Sequence, residues 1–77
     1  MDTANLVHMV NRIGEFFASM PDREQALEGI AHHLVQFWAP RMREHLLAHL
    51  DGDGAPDLMP LAREAIEAHR QRLARRG

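Results

Sequence analysis

Apolar residues recur at three- and four-residue steps along most of this chain, the spacing of helices that bury one stripe. Leu6, Met9, Val10, Ile13, Phe16, Phe17 and Met20 fall on one side of a helix over residues 3–19, with Asn5, His8, Asn11, Arg12 and Glu15 opposite. Asp2 or Thr3 supplies an N-cap. The polar face holds a single arginine rather than the basic row of a membrane-surface helix, so the stripe reads as core. Met20-Pro21-Asp22 is a break, and Asp22 with Gln25 three residues on has the capping-box pattern. The next helix covers residues 22–38, with Leu27, Ile30, Ala31, Leu34 and Trp38 inward and Phe37 at the margin. Gly29 inside it costs about 1 kcal/mol relative to alanine, which predicts close packing against another helix.

Ala39 precedes a proline and is pushed out of the helical region, and Pro40 is suited to open a new helix. That helix spans residues 40–50, with Met42, Leu46, Leu47 and Leu50 inward. The run from Asp51 to Asp57 ends it and forms the longest loop. A fourth helix over residues 58–74 has the weaker stripe Leu61, Ala65, Ile66, His69 and Leu73, and residues 75–77 form a tail expected to fray. Strand-like alternation is absent. The expectation is all-α: one domain over residues 1–77, a compact bundle of about four short antiparallel-type helices.

A chain of 77 residues buries only about 60% of the surface its unfolded form exposes. It has no cysteine, which excludes disulfides, thiolate zinc sites and iron–sulfur ligation. Association with a partner is the remaining usual support for so small a core, so the chain reads as a subunit. No apolar run is long enough to span a membrane, and Met-Asp-Thr-Ala-Asn lacks the basic and apolar regions of a signal peptide, so a cytoplasmic location is expected. The net charge of −2 argues against a dedicated nucleic-acid binder. The charge is uneven: residues 1–57 carry four Arg against nine Asp and Glu, whereas residues 58–77 carry five Arg against two Glu. Arg70, Arg72, Arg75 and Arg76 are what the alternative function, a small helical nucleic-acid-binding module, would use.

Chemistry of its own has little to work with. Read as an EF-hand loop from Asp51, the acidic run has Pro56 where glycine is needed and Ala62 where glutamate is needed. His45 and His49 have the spacing of a zinc pair, but Leu46 stands where a metalloprotease needs glutamate, and nothing fixes His8, His32, His33 or His69 beside them. Tyrosine is absent, and Ser19 and Thr3 are the only side-chain hydroxyls, neither on a nucleophile elbow. No catalytic residue and no metal site is expected, and the chain is not read as an enzyme in its own right.

The stretch from Phe37 to Arg43 breaks a local rule. If Pro40 opens a helix, Arg41 and Arg43 lie at its positive end, where each misplaced charge costs roughly 0.3–1 kcal/mol. In the structural reading, Trp38 fills the core and the arginines pair with Glu44 or another helix's carboxylate. In the functional reading, the helix N-terminus and two guanidinium groups form an anion site for a partner's carboxylate or for nucleotide phosphates. Trp38, Arg41, Met42 and Arg43 would then centre a docking surface, with Asn11 and Arg12 as a polar rim. Both readings hold at once with Phe37 buried and Trp38 half exposed.

Leu6-Val7, Asn11-Arg12-Ile13-Gly14, Phe16-Phe17, Ile30-Ala31-His32-His33-Leu34, Phe37-Trp38 and Pro40-Arg41-Met42-Arg43 together resemble the delta subunit of soluble NAD-dependent formate dehydrogenases. The segment from Leu58 to Ala65 resembles its continuation. The resemblance implies a small accessory subunit of a cytoplasmic enzyme that oxidises formate at molybdenum or tungsten and passes electrons through iron–sulfur clusters and FMN to NAD. It implies association with the catalytic alpha subunit, and a role in that subunit's assembly or stability. It further implies help in inserting or retaining the bis-molybdopterin guanine dinucleotide cofactor. This cofactor is polyanionic, so Arg41 and Arg43 would be a site for its guanine nucleotide moiety.

Overall fold

The computed structural model describes residues 2–75, most of them in five helices. Helix α1 (Thr3–Phe17) opens on Asp2, whose carboxylate accepts from the Ala4 N–H at 3.1 Å and satisfies a donor that a helix start leaves orphaned. It stops short of Ser19: the Ser19 hydroxyl donates to the Phe16 carbonyl, and the Met20 N–H bonds the Phe17 carbonyl in a tight turn. Asp22 then caps α2 (Arg23–Phe37), accepting from the Glu24 and Gln25 N–H groups at 2.9 and 3.4 Å.

Trp38 and Ala39 are both extended, and Pro40 takes the first position of α3 (Pro40–Asp53). The extended step turns Trp38 into the core at 6% exposure and leaves Phe37 71% exposed. Trp38 thus lies where the stripe put it. The expectation of a buried Phe37 and half-exposed Trp38 is reversed: the indole closes over the core, and the Phe37 ring, at the margin of the stripe, faces solvent.

Helix α3 runs three residues further than expected, so the acidic run is part helix. Gly54 closes it in the left-handed conformation (φ 81°), its N–H bonded to the Leu50 carbonyl. Ala55 follows at φ 47°, a conformation costing an L-residue about 1–2 kcal/mol. Three contacts hold it there. Ala55 is fully buried, its N–H donates to Asp53 Oδ1 at 3.1 Å, and its carbonyl accepts from Arg63 Nη2 at 2.6 Å.

The helix expected over residues 58–74 begins at Pro60 and is broken at His69 into α4 (Pro60–Ala68) and α5 (Arg70–Ala74). The break re-aims the final turn so that Leu73 is buried at 1% exposure. The expected frayed tail includes Arg75, which closes a turn through its N–H to the Arg72 carbonyl; residues 76 and 77 lie outside the described residues.

The bundle is all-α among the described residues, as the periodicity predicts. Helix α2 packs against α1, α4 and α5, and α3 packs against α1 and α5. Val10, Ile30, Leu34, Leu46, Ile66 and Leu73 are the largest fully enclosed side chains. At 32 × 28 × 17 Å the Cα trace is about two helix layers thick, so every helix keeps a solvent face. The predicted close approach at Gly29 is present: a Cβ there would stand 2.4 Å from the Phe17 ring. Phe16, by contrast, leaves the core stripe altogether at 74% exposure, and Val7 joins the core instead. Ion pairs join the layers from outside, Arg23 with Glu64, Arg70 with Asp51 and Arg72 with Glu28, all at the solvent-exposed surface where screening keeps their contribution small.

Burial separates the two adjacent aromatics. Trp38→Ala should destabilise the protein by about 3–5 kcal/mol, whereas Phe37→Ala should stay within about 0.5 kcal/mol, read from urea midpoints. A second expectation concerns acid. Hydrogen bonding from His49 Nε2, 3.0 Å away, outweighs the opposing effect of burial and, with lesser help from the charges of His49 and Arg63, holds the Asp57 carboxyl below its ordinary value. Its contribution is therefore complete above the unfolded-chain value of about 3.9 and fades as pH falls through the lowered folded value. The gap in thermal midpoint between wild type and Asp57→Asn should narrow as pH falls from 6 to 3; a gap that persists unchanged at pH 3 would contradict the assignment.

Candidate functional site

The Pro40 helix does begin with two arginines, and the fold treats them differently. Residues two apart on a helix do not share a face. Arg41 is exposed and has no partner among the described residues. Arg43 points inward at 6% exposure and is the one buried charged side chain among the described residues. The paired Arg41/Arg43 clamp expected from the sequence is thus not assembled by α3.

Arg43 reaches across to the end of α5 instead. Its two terminal nitrogens donate to the carbonyls of Arg72 (3.5 Å) and Arg75 (3.3 Å). Those carbonyls lie at the negative end of a helix, so a cation placed badly at the start of α3 is placed well at the finish of α5. The sequence reading looked for a carboxylate partner and missed this one, because backbone carbonyls leave no mark in side-chain identity. Arg43 Nε is buried without a hydrogen-bond partner among the described residues.

Arg43, Arg72, Arg75 and Val35 line a cavity of about 240 Å³. Arg72 Nη1 bonds Glu28 Oε1 at 2.7 Å, and that hydrogen bond, with the guanidinium's charge, holds Glu28 below the usual carboxylate value against the opposing effect of burial. Three arginines therefore line this cavity, with Arg72 paired to Glu28 and the Arg43 terminal nitrogens bonded to carbonyls, and it has room for a phosphate or carboxylate group. Of the four arginines assigned to a nucleic-acid surface, Arg70 and Arg72 are paired within the fold, Arg75 lines this cavity, and Arg76 lies outside the described residues.

The remaining expected site residues are spread out. Met42 is half-buried and packs against the core. Asn11 pins the approach to α4: its Nδ2 donates to the Asp57 carbonyl at 3.0 Å and its Oδ1 accepts from the Met59 N–H at 2.9 Å. Arg12 is exposed, with no partner among the described residues, at the edge of a groove of about 390 Å³ lined also by Ile13, Phe16, Phe17 and His33. The Phe16 and Phe17 rings meet edge to face at 5.1 Å, and His33 packs against Phe37 at 4.8 Å. The sequence reading passed over this groove because Phe16 and Phe37 fit, or nearly fit, core stripes. His45 and His49, the candidate metal pair, hold the fold together: His45 Nε2 lies 2.5 Å from Thr3 Oγ1, and His49 bonds Asp57.

No helix of the described residues is long and apolar enough to cross a membrane. No curated protein and no solved structure matches the chain. A family model does, over residues 5–66, the NADH-dependent formate dehydrogenase delta subunit FdsD. That span runs from α1 into α4 and takes in the Asn11 loop anchor, the aromatic groove, the Trp38–Pro40 break and Arg43. Sharing the greater part of its length with that model, the chain belongs to the formate dehydrogenase delta subunit family.

Proposed function

We propose that the chain is a non-catalytic, cytoplasmic accessory subunit of an NAD-dependent formate dehydrogenase. In this reading it binds the catalytic alpha subunit, stabilises it during assembly, and supports insertion or retention of its bis-molybdopterin guanine dinucleotide cofactor. The observation that carries the reading is the family match over residues 5–66. The metal, the iron–sulfur clusters, FMN and NAD are assigned to the large partners.

The finer part concerns the anion. Within this chain the residues that fit a polyanionic group best are Arg43, Arg72 and Arg75 around their cavity, rather than Arg41 and Arg43 at the start of α3. The cavity has room for a phosphate of a guanine nucleotide. Arg75 is exposed, so it can be changed without disturbing the core.

Catalytic subunit produced without this chain should carry reduced molybdenum and reduced formate-oxidising activity, both restored by co-expression. Full metal content and activity in its absence would overturn the assembly role. Titration of the purified chain with a guanine nucleotide addresses the anion separately. Arg75→Ala should weaken binding and Arg41→Ala should leave it unchanged; no binding by the wild-type chain would remove the nucleotide from the account.

A further inference from the structure

Two large apolar side chains of the described residues are exposed, Phe16 at 74% and Phe37 at 71%, and they belong to one face. Phe16 stands against Phe17, Phe17 seats its ring on Gly29 of α2, His33 lines the same groove, and Phe37 packs on His33 one turn further along. Three phenylalanines thus form a continuous strip across the ends of α1 and α2. The core does not use the two outer rings. Leaving them in water forfeits the stabilisation their burial would bring, and contiguous exposed aromatic surface of this kind marks an interaction site.

The charge at the strip narrows what can cover it. Arg12 lies at its edge without an ion-pair partner among the described residues, His33 is the other polar lining group, and no carboxylate lines the groove. A second copy of this chain is a poor occupant. Two-fold pairing of the face with itself would bring like guanidinium groups together over an apolar floor, with no lining carboxylate to offset them. A complementary occupant offers large apolar side chains for the groove and a carboxylate for Arg12.

Resting on the association proposed above, we infer that the Phe16–Phe17–His33–Phe37 strip with Arg12 is the face that docks on the catalytic subunit. The occupant is an apolar surface segment of that subunit bearing an Asp or Glu. Phe16 and Phe37 are the anchors.

The test is a pull-down and a binding titration of the full chain with the catalytic subunit. Phe16→Asp/Phe37→Asp should weaken binding at least 30-fold with helicity near wild type, and Phe16→Ser/Phe37→Ser, which puts no charge at the negative helix ends, should weaken it in the same direction with the fold intact, since both side chains are exposed. Arg12→Glu should weaken it about tenfold, with the difference shrinking at high salt. Wild-type affinity in the double variants would overturn the docking face while leaving the association standing. Absence of binding by the wild-type chain itself would overturn both. Sedimentation distinguishes the rival occupant: a monomeric free chain supports the inference, and a wild-type dimer dissolved by Phe16→Asp/Phe37→Asp would overturn it.

Discussion

Pro40 imposes the constraint on which the rest of the molecule depends. It has no N–H to continue α2, and its ring forces the preceding residue into an extended conformation. Two extended residues, Trp38 and Ala39, therefore separate α2 from α3. That short step turns the indole into the core, leaves Phe37 behind on the surface, and starts α3 in the phase that carries Arg43 to the last carbonyls of α5. Without the break, neither the core nor the tie to the C-terminal turn would be in place.

The tie matters because α5 is short. Five residues make a helix with little stability of its own. Leu73 anchors it from the core side, while Arg72 with Glu28 and Arg70 with Asp51 hold it from outside. Arg43 closes its open end. A charge that looks misplaced at one helix start is thus shared between two helices. It also leaves a small basic cavity where those helices meet, and so one residue type serves both packing and a candidate anion site.

Much of the fold was legible in the sequence. Asp2 and Asp22 were readable as caps, Gly29 as a point of close packing, and Pro40 as a helix start, because each is local chemistry written in one or two residues. The errors lie where tertiary contacts decide. Periodicity alone placed Phe16 in the core, but a bundle two layers thick has no third layer to cover it. The break at His69 carries no proline or glycine to announce it; it follows from the position α5 takes against α3. The site reading gave the arginines of the Phe37–Arg43 stretch a common direction that they do not share. Arg43 was sought beside Arg41, although positions two apart on a helix diverge, and Asn11 was read as rim when both its amide atoms are bonded to the loop before α4.

The proposed division of surfaces gives an aromatic strip at the ends of α1 and α2 to the partner, with a basic cavity between α3 and α5 held by the fold itself. Hydrogen exchange of the free chain and of its complex with the catalytic subunit tests that division most directly. The last turns of helices open locally more readily than their middles, so their amides have protection to gain. The account predicts slower exchange on complex formation at residues 12–17 and 33–37, with α3 little changed. Protection confined to α3 and α5, with those two helix ends unaffected, would contradict it.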